Sequence, residues 1–157
     1  MRKFLTASLT CCASFLCSAE TINVDGFTVN VTTQTFVKAD HEVKYCGDYV
    51  CLIDQRLPFG TDGKLPEIAV SRLAIKLGEQ TVMLNTDDMF DPFEEPAELV
   101  DRLSIGVYWG DFYKVTGRFS DGAGAYIAHW IISPLGSSRL FLGSTELLDD
   151  LHAQVLE

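Results

Sequence analysis

Three groups of residues have the types that chemistry needs: a histidine in an aromatic stretch, a run of carboxylates, and two cysteines close together in the chain. His129 lies in the apolar segment from Gly124 to Ser133. An imidazole there could act as a general base if a nucleophile and an orienting carboxylate approached it, and Ser133, Ser120 and Asp121 stand nearby in sequence. The segment brings no Gly-x-Ser-x-Gly elbow and no Ser-x-x-Lys. His129 is therefore expected to be a hydrogen-bonded core residue, and a small secreted hydrolase built around it is the alternative reading.

The carboxylates run from Asp87 and Asp88 through Asp91, Glu94 and Glu95 to Glu98 and Asp101, before the first basic residue at Arg102. Calcium takes six to eight oxygens from flexible loops, so the 86–95 loop is an alternative calcium site, although it lacks the Asp-x-Asp-x-Asp-Gly core of an EF-hand. No other cofactor or metal is expected. Met89, Phe90 and Phe93 interrupt the acids. Such side chains either staple a loop to the core or, if exposed, become aromatic anchors inside a charged rim. Asp87, Asp88, Phe90, Asp91 and Phe93 are accordingly candidate binding residues.

The third group depends on the amino terminus. Arg2 and Lys3 precede an apolar run from Phe4 to Leu16 and the small residues Cys17-Ser18-Ala19, which reads as a signal peptide over 1–19, cleaved after Ala19. The run of about thirteen residues falls short of the roughly twenty that a membrane-spanning helix needs, so no membrane span is expected. Cleavage removes Cys11, Cys12 and Cys17 and leaves Cys46 and Cys51, which export to an oxidising compartment would join. A zinc site would need a second ligand pair. The bridge would close a short loop and hold Asp48 and Tyr49 outward with little conformational freedom left to lose on binding, making them candidate binding residues as well.

In bridge spacing, this Cys46-Gly47-Asp48-Tyr49-Val50-Cys51 loop resembles the disulfide-held protruding loop of periplasmic lysozyme inhibitors of the Ivy type. The resemblance covers six residues, and Gly47-Asp48-Tyr49-Val50 stands where that family carries its Pro-His tip. An aspartate aimed at the catalytic carboxylates of a lysozyme would be repelled.

Removing 19 of 157 residues leaves 138, the size of one domain (20–157), with ten basic against 22 acidic residues and a net charge of −12. Nucleic acid is excluded as an expected partner, because phosphate recognition needs basic stripes. A basic protein partner is expected instead.

Alternation places strands over Thr21 to Val37, with a turn at Asp25-Gly26, and over Val43 to Tyr45 and Val50 to Ile53. Ile68 to Leu77 and Val82 to Leu84 should form a hairpin with a bulge at Ser71-Arg72. Residues 54 to 66 read as an irregular excursion. Pro96 should open a short helix to Leu103, with Leu99, Val100 and Leu103 facing the core. Ile105 to Trp109, Phe112 to Phe119, Gly124 to Ser133 and Arg139 to Leu142 read as further strands, the Gly124 to Ser133 stretch as a central one buried on both faces. Ser144 should cap a terminal helix with Leu147, Leu148, Leu151 and Val155 on its apolar face. The expected fold class is α+β: an antiparallel sheet with a short mid-chain helix and a C-terminal helix packed on one face. The expected function is a periplasmic or secreted, non-enzymatic protein-binding domain, an inhibitor or immunity protein against a basic cell-wall-degrading enzyme or toxin. An accessory or structural envelope protein is the other alternative.

Overall fold

The computed structural model describes residues 17–149. The expected signal peptide (1–19), all but its last three residues, and the expected end of the terminal helix with Leu151 and Val155 lie outside them.

Strands β1 (Cys17–Val24) and β2 (Phe27–Thr35) form an antiparallel hairpin about Asp25-Gly26. Both turn residues have positive φ, 52° and 84°, which matches the right-handed twist of the strands it joins. Side chains alternate across a strand, so Val29 and Val31 go inward while Thr28 and Asn30 remain on the outer face. β2 also pairs with β5 (Ile68–Leu77), and β5 with β6 (Gln80–Leu84), giving the order β1-β2-β5-β6. The bulge falls where the sequence places it: the partners of Thr32 and Thr33 are Arg72 and Val70, leaving Ser71 unpaired in the register. Its hydroxyl donates to the Thr32 carbonyl at 3.0 Å.

β7 (Leu103–Trp109), β8 (Phe112–Phe119), β9 (Tyr126–Ser133) and β10 (Gly136–Ser144) make a second antiparallel sheet in the order β10-β9-β8-β7. β3 (Val43–Cys46) and β4 (Tyr49–Ile53) form a separate hairpin. The two four-stranded sheets share one core: Val29, Leu73 and Ile75 from the first meet Val115, Phe119 and Trp130 from the second. Taking such a side chain fully from water stabilises the fold by about 1.5–3 kcal/mol. The edges are tied too. The Ile105 N–H of β7 donates to Asp25 Oδ2 at 2.8 Å, and the Ser137 hydroxyl of β10 donates to the Met83 carbonyl of β6.

The expected antiparallel β character holds, but a single sheet covered by the terminal helix is replaced by two sheets that cover each other. The mid-chain helix is a 3₁₀ turn (Pro96–Glu98) leading into α1 (Leu99–Arg102). Glu95 and Glu98 cap it reciprocally. Leu99 and Leu103 are buried as expected, whereas Val100 is exposed, because one short turn can aim only one edge at the core. Ser144 does cap the terminal helix, accepting from the Leu147 N–H at 3.2 Å, yet Leu147 itself is exposed. Among the described residues, no helix is long and apolar enough to cross a membrane.

Candidate functional site

β2 ends at Thr35 and β5 begins at Ile68, and these two residues are partners in the sheet. Residues 36–67 therefore leave the sheet and return to the same place. This excursion holds the β3–β4 hairpin, which the Cys46–Cys51 disulfide closes with a Cα separation of 5.8 Å. The Val50 N–H donates to the Gly63 carbonyl at 2.7 Å, so the hairpin is pinned to the loop that follows it. Tyr49 is 67 % exposed, and one edge of its ring lies over Gly63. A Cβ at Gly63 would stand 2.7 Å from that ring, and φ there is +72°, so position 63 needs glycine twice over.

The loop then threads along the acidic segment. The Phe59 N–H donates to the Asp88 carbonyl and the Phe90 N–H to the Phe59 carbonyl, both at 2.9 Å. At Gly60 (φ +98°) a Cβ would collide with the Phe90 carbonyl, and the Gly60 carbonyl would in turn lie 3.1 Å from a Cβ at Gly124. Two glycine-bearing chains thus cross closely, and Gly60, Thr61, Asp62, Ala123 and Gly124 line both of two neighbouring hollows. One is an apolar pocket of about 590 Å³ lined by Val50, Leu57, Pro58, Phe59, Ala125 and the disulfide. The other is a cleft of about 870 Å³ lined by Asp62, Glu67, Asp91, Glu94, Glu98 and Asp121, with Lys64 and Arg102 as its cations. Arg102 is already engaged by Glu98 at 2.6 Å and by the Ser120 carbonyl at 3.0 Å, so the cleft is negative.

The carboxylates of the 86–95 loop have separate duties. Asp88 meets Arg56 at 3.0 Å and Arg139 at 3.9 Å, while Asp87 lies 3.6 Å from Arg56. Burial pushes the Asp88 carboxyl above its ordinary range, and the two guanidinium groups oppose that rise. Asp91 Oδ1 accepts from the Glu67 and Ile68 N–H groups at 2.9 and 2.8 Å. Burial raises Asp91 as well, with these two hydrogen bonds acting the other way. In the excursion, hydrogen bonds from His41 and the Glu42 N–H hold Asp54 below the usual carboxylate range. Among the described residues, no group of three or more His, Cys, Asp and Glu is placed to hold a metal ion.

Phe90 and Phe93 are each only 7 % exposed, which corrects their reading as surface anchors: both staple the acidic loop to the interior. Phe90 packs edge-on against Phe36 in a small cluster with Val50 and Ile53, and its carbonyl accepts the buried Tyr126 hydroxyl at 3.2 Å. Asp48 and Tyr49 are exposed at the hairpin tip. His129 stands on the outer, half-buried face of β9, not in the core. The alternation is as read, but only the face carrying Tyr126, Ala128, Trp130 and Ile132 meets the opposite sheet. Its ring lies 5.8 Å from that of Phe141. Ser133 is four residues along the same strand, about 13 Å away at the strand rise, and Ser120 and Asp121 line the cleft at the other end of β8. The structure does not bring these groups together.

Sequence reasoning missed Asp62, Glu67 and Asp121 as neighbours. The available signal was the glycine set at 60, 63, 122 and 124, since close backbone crossings demand such residues. Fold and surface together define an antiparallel β protein of two facing sheets with a disulfide-held insertion beside an acidic cleft. No protein-family model matches this chain, and comparison with curated proteins and with solved structures gives no match.

Proposed function

We propose that the chain is an exported, non-enzymatic domain that binds a basic protein, as an inhibitor or immunity protein against a cell-wall-degrading enzyme or toxin. One observation carries this reading: an exposed aromatic on a covalently pinned hairpin lies over Gly63, whose chain neighbours Asp62 and Lys64 line a cleft where carboxylates outnumber cations. A rigid aromatic loses little freedom on docking and is the kind of residue that fills a partner's pocket. The cleft and the net charge of −10 on the whole chain would steer a basic partner toward it. A disulfide suits the oxidising compartment that export implies.

The test is direct binding and inhibition by the exported protein against a panel of purified basic muramidases, amidases and pore-forming toxins. Asp62→Asn, Glu94→Gln and Asp121→Asn combined should slow association at low ionic strength, with the difference shrinking as salt screens charges beyond about 10 Å. Tyr49→Ala should instead speed dissociation, at about 2 kcal/mol or more for a true anchor. Tight binding that ignores both changes would move the interface elsewhere, and no binding across the panel would remove the reading.

A further inference from the structure

At the end of the second sheet opposite the cleft, two hairpin tips stand side by side. The β7–β8 tip joins Trp109 to Phe112 and the β9–β10 tip joins Ser133 to Gly136, and the Tyr113–Ile132 pair holds them adjacent. Val107, Tyr108 and Trp109 are 69 %, 65 % and 74 % exposed, and Leu135 is fully exposed. Alternation would hide one side of a strand, so three consecutive exposed residues mean that the hairpin projects past the facing sheet. The register shift between Val107 and Trp109 contributes to this. The tips are held in shape. Trp109 stacks on Phe112 with ring centroids 6.0 Å apart, and the Ser133 hydroxyl accepts the Leu135 N–H at 3.2 Å.

Charge is almost absent here. Between Leu103 and Tyr113 the one charged residue is Asp111, and from Gly122 to Ser138 there is no Asp, Glu, Lys or Arg, in a chain that is 22 % charged.

We infer that these paired tips are a membrane-contact surface that seats on the interface of a zwitterionic lipid bilayer. Tyr and Trp, each with an apolar body and a polar end, favour the headgroup level, and Val107 and Leu135 supply aliphatic groups to enter below it. The shape agrees, since the tips are convex prongs and a bilayer needs no complementary pocket. So does the area. With an aromatic side chain offering about 150–250 Å², the four residues present on the order of 600 Å², less than the about 800 Å² that each side of a stable protein interface buries. A chain of this acidity would be repelled by anionic lipid, so binding should come from apolar burial and vary little with salt.

Trp109 is a built-in reporter, because Trp130 is fully buried and already in an apolar environment. The exported protein should co-sediment with phosphatidylcholine vesicles, with a blue shift in emission and quenching by brominated acyl chains, unchanged between about 0.1 and 0.5 M salt. Quenching of Trp109 separates insertion of the tips from attachment through another part of the surface. Tyr108→Ser with Leu135→Ser should lower vesicle affinity about tenfold or more while leaving the thermal midpoint in place, and Leu135→Ser alone should show part of that loss. The proposal is overturned if the parent protein does not co-sediment, if the double variant binds equally well, or if the tips instead mediate a dimer that sedimentation detects and the double variant loses.

Discussion

The indole N–H of Trp130 donates to the carbonyl of Asn85 at 2.9 Å, joining the central strand of the second sheet to the residue that follows the edge strand of the first. The ring is fully buried and packs edge-on against Phe119. Trp130→Phe should therefore leave both a cavity and an unsatisfied carbonyl, lowering stability by about 2 kcal/mol. Chemical denaturation measures this, and a change within error would mean that Asn85 finds water instead.

Cys46→Ser with Cys51→Ser should give a folded protein less stable by about 2 kcal/mol, since a ring this short restrains the unfolded chain only modestly. Thiol labelling of the native, unreduced parent should find neither cysteine reactive. Complete loss of the fold in the double variant would show that the hairpin does more than decorate the sheets.

Asp91→Asn should be neutral or stabilising at pH 7. Both backbone hydrogen bonds go to Oδ1, which asparagine retains, while burial raises the aspartate's pKa. A raised folded pKa means that the native state holds the proton more tightly than the unfolded chain. The stability this gives is present below the unfolded value of about 3.9 and is lost as pH rises through the folded one. Parent and variant should thus agree near pH 4 in thermal midpoint, with the variant gaining as pH rises to 7. A variant less stable at pH 7 would show that the ionised carboxylate's hydrogen bonds outweigh its desolvation.

Intact mass of the exported protein should correspond to a chain beginning at Glu20. That cut would remove three register pairs of β1, those of Cys17, Ser18 and Ala19 with Gln34, Thr33 and Thr32. A mass that retains these residues would place the cleavage elsewhere.

Much of the local structure was legible because it is written in short periods. Val29 and Val31 alternate with threonine and asparagine, and Tyr126 to Ile132 alternate over a whole strand, so strands and even the bulge at Ser71 followed from neighbours in sequence. What failed needed partners far along the chain. Whether Phe90 lies in or out depends on Phe36 and Phe59, which no period links to it. The division into two sheets arises because the chain passes through α1 after β6 and begins a new sheet at Leu103, a choice that alternation does not encode. The cleft joins Gly60 to Gly124, and only the glycines hint that two backbones meet there.

Thr35 and Ile68 sit opposite each other in the sheet, so everything between them is a detour that the sandwich does not need for its own pairing. A designed two-residue turn could bridge that gap and leave eight strands standing. The same junction could accept a foreign hairpin in place of the native one. The framework and the outward tip of the hairpin are then free to diverge separately, while Val50 and Ile53 remain tied to Phe90 by the small core they share.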